Sequence, residues 1–97
     1  MIAVHGCKGT DEKVLLGGLN LALKSQLAAA ILSVGVAAEI IGHAFPAVDT
    51  DNICNRGLTG QGVQLEFTAA LRAADSLARV ESAIRAELLK ASAAAQP

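Results

Sequence analysis

From Gly62 to Phe67 the chain alternates in character, with Val63, Leu65 and Phe67 set between Gln64 and Glu66. An extended segment sends successive side chains to opposite faces, so this run reads as a strand with one apolar and one polar face. A strand buried on both faces would be apolar throughout, so one face here is expected to meet water, a cavity or a site. The apolar face needs a cover. Although 53% of the residues are hydrophobic, there are only two Phe and neither Trp nor Tyr, so that cover is aliphatic, built by helices packed on strands. A chain of 97 residues allows one small domain, spanning 1–97.

The rest of the chain supplies the other elements. Ile2 to Val4 is a short aliphatic run that stops at His5 and Gly6, as a buried strand stops at its carboxyl end, and Val14 to Leu16 is a second. Asn20 is placed to cap a mostly buried helix over Leu21 to Leu32, whose Leu23, Leu27, Ala30 and Ile31 recur at helical spacing, and Gly35 stops it. Val36 to Ile41 is β-branched, and the order strand, helix, strand predicts a parallel pair. Phe45 to Gly62 has no periodicity and reads as a long loop, a kind of segment that is usually functional. Thr68 is a credible N-cap for a single helix from Ala69 to Ala93. Leu77, Val80, Ile84 and Leu88 mark its apolar face, Asp75 with Arg79 and Glu81 with Arg85 add i,i+4 support, and its Ala-rich end is expected to fray. The predicted fold is therefore α/β, a small mixed or parallel sheet with two long packing helices.

Several function classes are excluded. A formal net charge of −1, with no basic cluster and almost no aromatics, leaves neither the electrostatic footprint nor the stacking platforms of a nucleic-acid binder. The apolar region from Leu19 to Ile41 is interrupted by Lys24, Ser25 and Gln26 and carries Glu39, so no membrane span is expected. The first ten residues lack the basic start and apolar stretch of a secretory signal. Cys7 and Cys54 lie far apart in no disulfide pattern, which fits a reducing compartment, and the cytoplasm is the expected location.

The candidate site residues each have two readings. His5, at a strand tip, is placed to hold a metal or move a proton, or is a polar loop histidine. Arg56 is a bidentate anion donor, or it pairs with Asp49 or Asp51 and holds the loop in shape. Glu66 is a site carboxylate, or an acidic residue favoured just before a helix N-terminus. His5, Cys7, His43 and Cys54 are the right types for a zinc site but lack the close-paired spacing that structural zinc ligands usually show. Cys7 and Cys54 then read as small buried hydrophobes and His43 as a solvated loop residue.

The block Asn52 to Arg56 followed by Gln64 to Glu66 resembles the poly-gamma-glutamate hydrolase family, zinc-dependent hydrolases common in phages and prophages. Val4 to Cys7 and the glycine pair in Leu16 to Leu19 extend the resemblance, which runs as far as Leu71 and Arg72. It implies a zinc carboxypeptidase-like α/β domain whose metal is held by two histidines and a glutamate. His5 would be the later of the two histidine ligands. Glu66 would be the general base that takes a proton from the attacking water, and Asn55 with Arg56 would hold a carboxylate of an anionic gamma-glutamyl polymer. The other two ligands lie, in the family, upstream of the part this chain resembles. The chain is accordingly expected to be the carboxyl-terminal part of a hydrolase domain, incomplete and inactive alone, and completed by an amino-terminal segment or a second polypeptide. The alternatives are a non-catalytic anion- or peptide-binding module using Asn55 and Arg56, and an α/β interaction domain that self-associates through an apolar face.

Overall fold

Val63, Leu65 and Phe67 do share one face of a strand, β4 (Val63–Thr68), and the apolar side chains of the chain gather on it. The computed structural model, which describes residues 1–94, gives a four-stranded mixed sheet. Its order is β1 (Ile2–Cys7), β4, β2 (Lys13–Gly17), β3 (Ala37–Glu39). β1 runs parallel to β4, β4 antiparallel to β2, and β2 parallel to β3. On the apolar face Val14, Leu16, Val63, Leu65 and Phe67 meet Leu27 and Ile31 of α1 (Leu21–Ser33) and Val80 and Ile84 of α3 (Leu77–Ala94). Leu16, Leu27, Ile31, Leu65 and Val80 have no exposed surface, and each such side chain contributes about 1.5–3 kcal/mol of hydrophobic stabilisation.

The helix boundaries are set locally. The Asn20 side chain accepts from the Leu23 amide, and Gly35, at φ +84°, takes the left-handed conformation that ends α1. Thr68 accepts from the Leu71 amide and caps α2 (Ala69–Arg72). Its hydroxyl also donates to Asp11 O and accepts from the Lys13 amide, so the same residue ties β4 to the turn before β2.

The structure corrects several expectations. β1 continues through His5 and Gly6 to Cys7, because β4 pairs with it along its whole length, so His5 lies within the strand rather than at its tip. The Val36–Ile41 run yields only the three residues of β3, the far edge of the sheet, with little cover on either side. α1 buries only Leu27, Ala28 and Ile31, one stripe rather than most of its surface. The long helix after Thr68 is two helices, broken between Arg72 and Leu77, and within the break the Ser76 hydroxyl donates to Glu12. Asp75 is therefore outside α3, Arg79 donates to Val34 O, and Glu81 and Arg85 form no ion pair among the described residues. Fraying beyond Ala94 concerns residues outside those described.

The polar face of β4 is also closed. Gln64 and Glu66 are both buried, and the long loop folds back over the Gln64 end of that face. A side chain at Gly17, the register partner of Gln64, would meet the Phe45 and Pro46 carbonyls. No helix of the described residues is long and apolar enough to cross a membrane.

Candidate functional site

His5 and Glu66 stand opposite each other in the parallel register of β1 and β4, so their side chains leave the same face. The His5 Nδ1 lies 3.0 Å from Glu66 Oε2. The two residues differ sharply in access: the His5 side chain is 47% exposed and that of Glu66 6%. A carboxylate facing Nδ1 fixes the tautomer with the proton on that nitrogen, which leaves the Nε2 lone pair available as a base or a ligand. Among the described residues Glu66 Oε1 has no partner, and it is not wholly buried, so the carboxylate keeps one oxygen free to accept a further hydrogen bond. Leu15, on the other side of Glu66, closes the apolar flank. Cys7, two residues beyond His5 on the same face, has its thiol pushed up, first by burial and then by the Glu66 charge, so it stays protonated.

The loop segment is organised around Asn55. Its Oδ1 accepts from the amides of Leu19 and Gly62, and its Nδ2 donates to the carbonyls of Ala47 and Asp49. That is the full capacity of a side-chain amide, and Asn55 is 2% exposed. Asn55 thus braces the loop, with all four of its side-chain hydrogen-bonding positions taken up inside the chain. Arg56 is exposed, and among the described residues it pairs with neither Asp49 nor Asp51; Asp49 instead accepts from the Asp51 amide. The loop-holding ion pair left open by the sequence is not formed.

His5 and Glu66 meet, whereas Arg56 sits at the other end of the strand pair. Gly57 lies against Met1, at the amino-terminal end of β1, and His5 is four residues further along, on the order of 13 Å at about 3.3 Å per residue. His43 is a brace rather than a solvated loop residue. Its Nδ1 accepts from the Phe45 amide, so its Nε2 carries the proton donated to Leu16 O at 2.7 Å, and both ring nitrogens are used.

One residue was given no role from the sequence. Arg72 donates from Nε to Phe67 O and from Nη2 to Cys7 O, clamping the carboxyl ends of β4 and β1 together. Its guanidinium occupies the space a side chain at Gly6 would need, 2.9 Å from where that Cβ would stand. A glycine beside the site histidine, and an arginine at the end of the resemblance, are the signals that could have paired them.

The sequence model for poly-gamma-glutamate hydrolase matches residues 1–86. The chain belongs to the poly-gamma-glutamate hydrolase family. It is similar to the bacteriophage poly-gamma-glutamate hydrolase, with 29% identity and a TM-score of 0.86 over 95% of this chain and 53% of that one. The zinc-free apo form of YNDL shares the fold, at 19% identity and a TM-score of 0.83 over 93% of this chain and 53% of that one. The UPF0714 protein YmaC of Bacillus subtilis (strain 168) is 30% identical over 76 residues, 76% of this chain and 32% of YmaC. The chain thus spans about half the length of the two solved structures and a third of YmaC.

The family implies zinc, and the donors present do not make a zinc site by themselves. Among the described residues no three His, Cys, Asp or Glu side chains gather closely enough to hold a metal ion. His5 and Glu66 supply one imidazole and one carboxylate, where a catalytic zinc takes about three protein ligands.

Proposed function

We propose that this chain carries half of the active site of a poly-gamma-glutamate hydrolase-type amide hydrolase, the half that holds the general base. The observation that supports it is the His5–Glu66 pair at 3.0 Å, with a nearly buried carboxylate and an accessible imidazole. In this reading Glu66 takes the proton from a water that attacks the amide carbonyl and passes it to the leaving amine. His5 is the residue that would contribute to a metal, in company with donors from further polypeptide. Arg56 binds a substrate carboxylate. The distance between Arg56 and His5 suits a polymer that presents a carboxylate on every residue, since one chain can engage both ends of the strand pair. Two free, buried cysteines are in keeping with a cytoplasmic setting, and the similarity to the bacteriophage enzyme with a phage association.

The test replaces the matched part of the bacteriophage hydrolase by this chain and assays release of glutamyl fragments. The chimera should turn over, and Glu66→Gln should lower turnover by roughly 10²–10⁴-fold while leaving polymer binding intact. Undiminished turnover in Glu66→Gln excludes Glu66 as the base. A second reading, a non-catalytic module for anionic peptides, is favoured by the exposed guanidinium of Arg56, which forms no ion pair among the described residues. It predicts that the chain alone binds the polymer, that Arg56→Ala abolishes binding, and that the chimera is inactive.

A further inference from the structure

The His5–Glu66 hydrogen bond stands near the end of its ladder. Two register positions beyond it, past Cys7 and Thr68, the strands part, β1 into the turn that leads to β2 and β4 into α2. The bond measures 3.0 Å, and a separation of about 3.6 Å would abolish it, so the spacing of the two strands at this point decides whether the pair exists. Arg72, the last residue of α2, spans the place where they part. Its Nε donates at 3.2 Å to the carbonyl of Phe67, the residue after Glu66, and its Nη2 at 3.1 Å to the carbonyl of Cys7, two residues after His5. One planar, rigid guanidinium thus holds one carbonyl from each strand, and its own fork fixes how far apart the two can stand. Gly6, the register partner of Phe67, makes room for it. A side chain at Gly6 would leave β1 on the face opposite to His5, and its Cβ would lie 2.9, 3.0 and 3.1 Å from Arg72 Cζ, Nε and Nη1.

We propose that Arg72 is a positioning residue for the His5–Glu66 pair, setting the strand spacing that brings imidazole and carboxylate within hydrogen-bond distance, and that Gly6 is glycine in order to seat it. The guanidinium lies on the other side of the sheet from the pair, so it acts through the strands and not on a reacting group. Every contact in the argument is made within this chain. Gly6 lies in extended strand, where the backbone itself would accept alanine, so the space taken by the arginine is what excludes a side chain there. The chemistry that the pair performs rests on the hydrolase reading, whereas its geometry does not.

The nitrogen-15 shifts of the neutral His5 imidazole in this chain test it, because they report which ring nitrogen carries the proton. The wild-type ring should hold it on Nδ1, facing Glu66. Gly6→Ala pushes the guanidinium aside, and Arg72→Lys keeps the charge but not the fork. Both should shift the population toward the proton on Nε2, the tautomer an unheld imidazole prefers, while the amide spectrum stays dispersed as in a folded chain. Gly6→Ala/Arg72→Lys should shift it no further than Arg72→Lys alone, since both changes undo one contact. In the chimera with the bacteriophage hydrolase, Gly6→Ala should lower kcat by roughly 10–100-fold with KM unchanged. An inactive parent chimera counts against the hydrolase reading alone, and the shifts still decide the clamp. A wild-type proton on Nε2, a proton that stays on Nδ1 in either single variant, an additive double variant, or an active chimera indifferent to Gly6→Ala overturns the proposal.

Discussion

Replacing Asn55 by alanine removes four hydrogen bonds at once and leaves the amides of Leu19 and Gly62 and two loop carbonyls without their partner. Stranded buried polar groups are costly, so Asn55→Ala should lower stability by about 3 kcal/mol or more in urea denaturation. Arg56→Ala next to it removes an exposed side chain and should change stability by less than about 0.5 kcal/mol, its effect appearing only in polymer binding. That contrast marks what the sequence disclosed. The pairing of Glu66 with His5 was legible, because a motif names both residues. The bracing by Asn55 and His43 was not, since bonds to backbone groups far along the chain leave no periodic trace. Cys7 gives a prediction in pH. Burial raises its folded-state pKa above the ordinary thiol value of 9.0, so the unfolded chain loses the proton first. Stability from the buried thiol should be complete below pH 9 and decline as pH rises through the raised value. Cys7→Ser should flatten that alkaline decline in a pH series of thermal melts.

Among the elements, β4 was the most legible and the second helical region the least. The alternation of β4 is a local pattern that its neighbours reinforce. The break before Leu77 was hidden because residues 69–76 carry neither glycine nor proline, and the apolar period Leu77, Val80, Ile84, Leu88 lies wholly beyond it. The junction of β4 with α2 rests on Thr68, which holds three hydrogen bonds. Thr68→Val keeps the shape but removes the cap and the Lys13 partner, and should cost about 2–3 kcal/mol in chemical denaturation. Close approach governs Gly62, where any side chain would run into the carbonyls of Cys54 and Met1. Gly62→Ala should therefore destabilise by about 3 kcal/mol or more, measured the same way, and detach the loop from β1.

At the scale of the molecule, the sheet order places β4, near the end of the sequence, between β1 and β2 from its beginning. The alternating runs predicted strands and helices but not this insertion, because nothing local records which strands will be neighbours. A chain ending at Gly62 lacks the strand that both β1 and β2 pair with, so it should show no cooperative urea transition by circular dichroism. Pairing across such separations also makes folding slower than that of a helical bundle of this size. His5 and Glu66 are 61 positions apart. During synthesis the histidine emerges 61 residues ahead of its carboxylate. The hydrogen bond between them is therefore a completion mark: whatever chemistry the pair supports stays switched off in every nascent, nicked or half-folded copy.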